Sequence, residues 1–231
     1  MPQKAFIEAM FDDIAKNYIS FNHISSFFND KIWRMRAVRE VIKGLPDNRP
    51  AKMLDIATGT GDFAIEIIKR APSGSSIVGI DLSAGMLEVG RRRVKGLPIE
   101  LLQGDATEMP FPSGSFSRVS VAFGVRNFEN LQKGLGEMRR VLEPGGKAVI
   151  LELSYPRNMF MRFCFKLYAG HILPLMGKGL TGKRGAFDYL TASIMRFPLP
   201  EKFIPMLKSA GFAKVSARSF TFGTCRMYIA E

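Results

Sequence analysis

Four aspartates and two glycines in the first half of the chain have the types and spacing of a nucleotide site. Asp55 lies in the apolar run Met53-Leu54-Asp55-Ile56-Ala57, Gly59 and Gly61 follow it, and Asp62 opens the next segment. Asp81 lies 20 residues past Gly61, and Asp105 follows Gly104. A strand that stops at a glycine turn and opens directly into a helix exposes backbone N–H groups beside a helix N-terminus, where a ligand approaches unhindered. Gly59-Thr60-Gly61-Asp62-Phe63-Ala64 also fits the GxGxxG/A dinucleotide pattern, with Asp81 spaced to take a ribose. Asp55 and Asp62 weigh against a pyrophosphate, which two carboxylates would repel, and suit a ligand carrying an amino group and a sulfonium. Each also has a local reading, Asp55 as a brace for the loop and Asp62 as a helix-start carboxylate.

S-adenosylmethionine is a ligand of that kind, and the elements that must position it read as a parallel sheet wrapped by helices. Residues 52–57 form the first strand, 58–61 the turn, and a helix starts at Asp62. Strands follow at 75–83, 99–106 and 116–124, with helices at 84–95 and 130–142. The turn Glu143-Pro144-Gly145-Gly146 leads into a fifth strand at 147–154. After a helix at 200–211, strands at 213–221 and 225–230 are joined by a short connection as an antiparallel hairpin. Ligands of open α/β sheets bind outside the carboxyl ends of the strands. Those ends carry the glycine loop, Asp81, Asp105-Ala106 and the segment from Ala122 to Asn127. Asp81 is suited to grip both ribose hydroxyls, and Asp105 to read an adenine amino group beside the Ala106 N–H. As a plain turn aspartate, Asp105 has a structural reading too.

The 231 residues suffice for one α/β domain, and 46% hydrophobic with 23% charged residues describes an ordinary globular chain. The expected organisation is a single domain over residues 1–231, with a helical N-terminal extension or lid at 1–50 and a helical cap insertion at 156–186. Two cysteines, Cys164 and Cys225, have no metal-ligand spacing, which argues against a disulfide framework and a metal site. With no signal-peptide pattern and no run of roughly 20 apolar residues, a cytoplasmic location is expected.

Net charge is +12, and residues 151–231 hold 12 Lys plus Arg against 4 Asp plus Glu. No acidic residue falls between Glu152 and Asp188, where Arg157, Arg162, Lys166, Lys178, Lys183 and Arg184 lie. Residues 158–173 read as a helix with Arg162 and Lys166 on one face and apolar residues over most of the rest. It is too short to span a bilayer, yet suited to lie at a membrane surface or to roof an apolar pocket. A cap buried on the sheet with snorkelling bases is the alternative. Within residues 1–50, Phe6, Ile7, Met10, Phe11 and Ile14 recur at helical spacing, either as a lid over the site or as a cover for a sheet edge.

With these motifs in order, the chain resembles the class I S-adenosylmethionine-dependent methyltransferases, of Rossmann-like fold. The matching features are Asp55 with Gly59 and Gly61, an acid ending the second strand, Gly104-Asp105-Ala106, and Pro144-Gly145-Gly146 before the fifth strand. FDDIAKNY at 11–18, Asn22, Ser26, Asp30 and Trp33-Arg34 narrow the resemblance to the quinone-biosynthesis C-methyltransferases. So do EMPFPSGSF at 108–116, AFGVRNF at 122–128, MRRVLEPGG at 138–146, LELSYP at 151–156 and YLTASIMRFP at 189–198. The chain departs from the family pattern at Ile19 and Phe28, where the family has Asp and Gly.

The resemblance implies a seven-stranded, mostly parallel sheet ending in an antiparallel hairpin, with helices on both faces. It implies cofactor contacts at Asp55, Gly59, Thr60, Gly61, Asp81, Met86, Asp105, Ala106 and Ala122, and a catalytic role for Arg126 and Asn127. Tyr18, Asn22, Trp33, Tyr168, His171 and Tyr189 are expected near the substrate, a polyprenyl quinol such as demethylmenaquinol or a benzoquinol counterpart. Peripheral membrane contact and a homodimer are further expectations. Methyl transfer is an in-line displacement needing alignment in a dry pocket. An oxidised quinone ring is electron-poor, so the reduced quinol, and above all its phenolate, is the nucleophile. Arg126 is read as stabilising developing oxyanion charge or polarising a water that Asn127 orients. Tyr168, His171 and Tyr189 are secondary candidates for the proton acceptor.

Two other classes stay open. A nucleic-acid methyltransferase would account for the charge, but the fourth strand lacks the Asn/Asp-Pro-Pro-aromatic element that holds a flipped base, offering Phe123-Gly124-Val125-Arg126 instead. A dinucleotide oxidoreductase or noncatalytic nucleotide module would share the glycine loop, yet has no use for Asp105, Pro-Gly-Gly and the hairpin together.

Overall fold

In a computed structural model of the chain, residues 4–15, 18–173 and 185–231 are described. Three helices come first: α1 (Lys4–Ile14), α2 (Tyr18–Ser25) and α3 (Asn29–Ile42). Strand and helix then alternate as β1 (Lys52–Ile56), α4 (Asp62–Ile68), β2 (Ser76–Asp81), α5 (Ala84–Arg93), β3 (Ile99–Gln103), β4 (Phe116–Ala122), α6 (Leu131–Val141) and β5 (Leu142–Leu153). The chain continues with α7 (Met159–Leu167), α8 (Gly185–Arg196), α9 (Pro200–Ser209), β6 (Val215–Phe220) and β7 (Cys225–Ala230).

The seven strands form one sheet in the order β3-β2-β1-β4-β5-β7-β6. Neighbours from β3 through β5 are parallel, and β7 runs antiparallel to both β5 and β6. The order reverses between β1 and β4, which makes the carboxyl ends of those two strands the place for a crevice. Strands inside such a sheet are covered on both faces and therefore carry continuous apolar runs. Thus Met53, Leu54 and Ile56 of β1 and Ala148 to Leu151 of β5 are all buried.

Helix α3 lies against a sheet face rather than an edge. Trp33, Ala37, Val38 and Val41 recur along one stripe and pack with Phe63, Ala64 and Ile67 of α4. On the other face, Leu131, Leu135, Met138 and Val141 of α6 pack with Phe203 and Leu207 of α9. Each of these stripes can be buried only against the sheet, which fixes the three-layer arrangement.

Three boundaries differ from the sequence reading. The Pro-Gly-Gly turn sits inside β5 as a bulge, with Leu142 opposite Phe116 and Lys147 opposite Arg118. Helix α7 ends at Leu167 and continues as a π-helical turn over Tyr168–Ile172, so the cap helix is a little shorter than expected. A 3-10 turn at Val125–Asn127 follows β4 and carries the two residues expected to be catalytic. Lys178, Lys183 and Arg184 lie outside the described residues. Among the described residues no helix is long and apolar enough to cross a membrane.

Candidate active site

The crevice at the carboxyl ends of β1, β2 and β3 is lined by Gly59, Asp81, Met86, Asp105 and Ala106, together with Phe11 and Tyr18 from the N-terminal helices. Gly59 has φ +57, and a Cβ there would lie 3.9 Å from Tyr18 Cε1, so glycine keeps the backbone unstrained at the wall. The Gly59 N–H donates to Asp81 Oδ2 at 2.8 Å and the Ser83 N–H to Asp81 Oδ1 at 2.9 Å. Burial raises Asp81 to about 6, while the Ser83 and Gly59 amides favour its charged form. Each carboxylate oxygen keeps a lone pair for a ligand hydroxyl. For Asp105, burial acts to raise the pKa, but the Thr107 amide, Lys4 and the Thr107 hydroxyl hold it below the usual carboxylate range. Two carboxylates beside apolar Met86 and Ile80 fit a ligand with ribose hydroxyls, a flat base and positive charge, so the donor set suits S-adenosylmethionine.

The glycine loop differs in one respect from expectation. Three of its four N–H groups are spent internally: Thr58 on Ile80 O, Gly59 on Asp81, and Gly61 on Thr58 O. Arg93 of α5 ties the loop down, donating to Thr60 O at 2.8 Å and to Asp62 Oδ1 at 2.7 Å. The loop is a rigid floor rather than an anion nest.

Of the two readings of Asp55, the geometry carries the brace. Thr58 Oγ1 donates to its Oδ2 at 2.8 Å and Ser120 Oγ to its Oδ1 at 2.7 Å, and it is not among the residues lining the crevice. Burial pushes it up to about 7, against the two hydroxyls that favour the carboxylate. Thr60, Gly61 and Ala122 stand behind the lining as well. Thr60 Oγ1 donates to Asp62 Oδ2 at 2.8 Å, and Gly61 is the residue before α4.

Helix α1 packs over this crevice. Lys4 Nζ lies 2.9 Å from Asp105 Oδ2. Asp12 Oδ1 accepts from Ser83 Oγ at 2.5 Å and from the Gly85 N–H at 2.9 Å. Phe11 and Tyr18 then serve two cavities at once, because together with Phe123 they also line a larger, mostly apolar cavity of about 330 Å³. That size suits a small organic ligand. Asn22, Trp33, Arg126, Tyr168 and Tyr189 line the larger cavity too, which places five of the expected substrate-side residues, counting Tyr18, on its walls.

Polar groups are few there. Trp33 Nε1 donates to Thr221 Oγ1 at 3.0 Å, and the Tyr168 hydroxyl donates to Ser25 O. The Asn22 amide is buried beside the Tyr18 hydroxyl, whose charged form it favours. The Tyr189 hydroxyl donates to Asn127 Oδ1 at 2.9 Å, and Asn127 faces the crevice, so this bond crosses the partition between the cavities. Burial raises Tyr189, and raises Tyr168 to about 12. Both phenols stay protonated at neutral pH. His171 is corrected: it is exposed, lies off the cavity, and its Nδ1 is 3.3 Å from Leu167 O. The helical turn that carries it points it outward.

Arg126 is held more firmly than its sequence context implied. Its Nη1 lies 2.8 Å from Glu152 Oε1 and also donates to Phe123 O. Its backbone N–H donates to Glu152 Oε2 at 3.1 Å, and Nε donates to Ser193 Oγ at 3.3 Å. Among the described residues nothing accepts from Nη2, which is the part of the guanidinium placed to donate to a ligand. The partition itself is strained: Ala57 and Phe123, at the ends of β1 and β4, have φ 51 and 61. Strain of that kind, of order 1–3 kcal/mol per residue, collects at functional sites. Gly124 lets the two ends meet, since a Cβ there would collide with Ala57 Cβ.

The sequence reading missed Glu152, Lys4, Asp12 and Ser193. Glu152 had a signal, a lone carboxylate in the apolar run Val149-Ile150-Leu151-Glu152-Leu153, which demands a buried cation. Asp12 and Ser193 lay within FDDIAKNY and YLTASIMRFP, yet neither motif nor Lys4 showed its partner, because the partners are set by how helices dock.

Comparison with known proteins agrees with the geometry. A chain from Geobacter sulfurreducens named ubiquinone/menaquinone biosynthesis C-methyltransferase UbiE is 40% identical over 229 residues, 97% of this chain and 88% of that one. A demethylmenaquinone methyltransferase from Thermus thermophilus is 39% identical over 224 residues, 96% of this chain and 99% of that one. Among solved structures, the [4+2]-cyclase SpnF superposes with a TM-score of 0.70 at 17% identity, over 96% of this chain and 78% of that one, a likeness of fold. The model of the ubiE/COQ5 methyltransferase family matches residues 2–231. Fold, crevice and sequence agree on an S-adenosylmethionine-dependent methyltransferase: the chain belongs to the ubiE/COQ5 methyltransferase family.

Proposed function

We propose that this protein methylates a ring carbon of demethylmenaquinol to give menaquinol. The observation that carries the reading is the shared wall of Phe11, Tyr18 and Phe123: a crevice with two carboxylates adjoins an apolar cavity, and the Tyr189–Asn127 bond crosses between them. A polyprenyl quinol has the matching chemistry, a flat ring with two hydroxyls on an apolar tail. The naphthoquinol is chosen because relatives at about 40% identity, such as those of Deinococcus radiodurans and Chlorobaculum tepidum, are named demethylmenaquinone methyltransferase. The Geobacter sulfurreducens relative's name covers both quinones, which makes a benzoquinol the second reading.

S-adenosylmethionine supplies an electrophilic methyl carbon on a positive sulfonium. Asp81 would take the ribose hydroxyls on its free lone pairs, and Asp105 with the Ala106 N–H would meet the adenine, sharing or displacing Lys4. The protein's task is to raise electron density on the quinol ring. Arg126 Nη2 and Asn127 Nδ2 are the remaining donors at the partition, and they would stabilise the phenolate oxygen as charge develops on it. Glu152 fixes the guanidinium and Tyr189 fixes the amide, so neither donor must reorganise during reaction. The Asn22 amide, beside the Tyr18 hydroxyl on the cavity wall, offers a third donor for a quinol oxygen. Phe11, Tyr18 and Phe123 exclude water from the junction.

A substrate with a polyprenyl tail resides in a bilayer, so the enzyme works as a peripheral protein at the cytoplasmic face of a membrane. Methyl transfer from labelled donor to demethylmenaquinol, with a polyprenyl benzoquinol and RNA in parallel, tests the assignment. Label in the naphthoquinol is the expected result. Label in RNA, or in no quinol, overturns it.

A further inference from the structure

A surface helix ordinarily buries one apolar stripe and turns a polar face to water. Helix α7 has two apolar faces. Met161, Cys164 and Phe165, with Tyr168 beyond them, line the large cavity at the spacing of a single helical face. On the outer side Met159 is 84% exposed, Phe160 71%, Phe163 60% and Leu167 46%. The turn between α2 and α3 extends this surface, since the rings of Phe27 and Tyr168 meet at 5.7 Å and Phe27 and Phe28 are 67% and 55% exposed.

That turn holds its aromatics outward against backbone preference. Phe27 and Phe28 both adopt left-handed φ, 50 and 59, a region that bulky residues seldom occupy. Both rings stay more than half exposed, although Phe27 meets Tyr168 at the cavity rim and Phe28 stacks on His23. Cations border the surface. Lys31 Nζ lies 5.4 Å from the centre of the Phe28 ring, and Arg162 lies over Tyr155 at 5.1 Å. Arg157 pairs with Glu201, whereas Arg162 and Lys166 have no acidic partner among the described residues.

We propose that the outer face of α7 and the Phe27–Phe28 turn form a docking surface for an anionic lipid bilayer. Exposed aromatics beside Arg162, Lys166 and Lys31, with Glu201 neutralised by Arg157, match the headgroup and upper acyl region of such a membrane. A second copy of the chain is a poorer occupant, because the same cations would face one another across the contact. The arrangement rests on the lipid-tailed substrate proposed above and adds its route: the helix whose outer face meets the acyl chains walls the cavity with its inner face.

The test is co-sedimentation of the full chain with phosphatidylglycerol–phosphatidylcholine vesicles and with phosphatidylcholine vesicles, at low and high salt. The variants are Phe28→Gly and the pair Phe160→Ser with Phe163→Ser, none of which lines either cavity. The wild type is expected to sediment with the anionic vesicles and to be released by salt. The double variant should bind about tenfold more weakly, as loss of buried aromatic area requires. Phe28→Gly should weaken binding while raising Tm, because glycine suits the left-handed position. A wild type that stays in the supernatant, variants that bind as well as it does, or a dimer in sedimentation that the double variant abolishes would each overturn the surface. Methyl transfer to a quinol without a tail reads the proposed reaction separately. Transfer without vesicle binding removes the docking surface alone, and vesicle binding without transfer removes the reaction and leaves the surface standing.

Discussion

Arg126 and Glu152 form a buried ion pair, 2.8 Å apart, with side chains 6% and 0% exposed. A pair of this kind is costly to break from one side, because the other charge is left uncompensated in a dry interior. Glu152→Gln is expected to lower unfolding free energy by about 3 kcal/mol in urea titrations. Arg126→Lys keeps the charge but loses the fork, so its transfer rate should fall at least about tenfold with a smaller loss of stability.

Tyr189 acts through Asn127 and is a positioning residue. Tyr189→Phe removes the hydroxyl that orients the Asn127 amide and leaves the cavity shape intact. The expected result is a kcat reduced about tenfold, with KM for the quinol and affinity for S-adenosylhomocysteine little changed. An unchanged kcat would show that Asn127 needs no such support.

The contacts of α1 differ in worth. Lys4–Asp105 is half exposed on the lysine side, and such pairs contribute about 0–1 kcal/mol. Asp12 accepts two bonds from the start of α5. Asp12→Ala is therefore expected to speed S-adenosylhomocysteine release in stopped flow about tenfold, while Lys4→Ala changes it by less than about threefold. Equal effects would place the latch elsewhere.

Asp55 titrates at about 7 in the folded chain because burial disfavours its charge. A folded pKa above the unfolded one gives stability that is complete at low pH and lost as pH rises toward 7. Asp55→Asn lacks that dependence. Its stability relative to wild type should grow between about pH 4 and 7, by about 4 kcal/mol at most, and level off above. Urea titrations at several pH values measure it, and a difference independent of pH would contradict the raised pKa of Asp55.

The sheet was legible because its evidence is local. Apolar runs such as Met53 to Ile56 and the turn glycines mark strands whatever their partners, and the helices between them fix parallel order. Asp81 and Asp105 were legible for the same reason, since each ends a strand whose end must lie at the crevice. What the sequence hid depends on long-range docking: the reach of Lys4 to Asp105, of Glu152 to Arg126, and the use of both Asp55 oxygens inside the fold. His171 misled because a histidine in an apolar segment says nothing about which side of the helix it faces. The left-handed Phe28 was marked only by its departure from the glycine of the family pattern, and its exposure emerged only in three dimensions.

The most direct measurement is a single-turnover reaction with methyl-labelled donor and demethylmenaquinone, reduced in one sample and oxidised in the other, with the product located by mass and NMR. A labelled methyl on the ring carbon, formed from the quinol alone and at a rate reduced in Arg126→Lys, is the expected result. Methyl on a hydroxyl oxygen, equal transfer to the oxidised quinone, or no transfer from an enzyme shown to bind the donor would contradict ring-carbon methylation at this site.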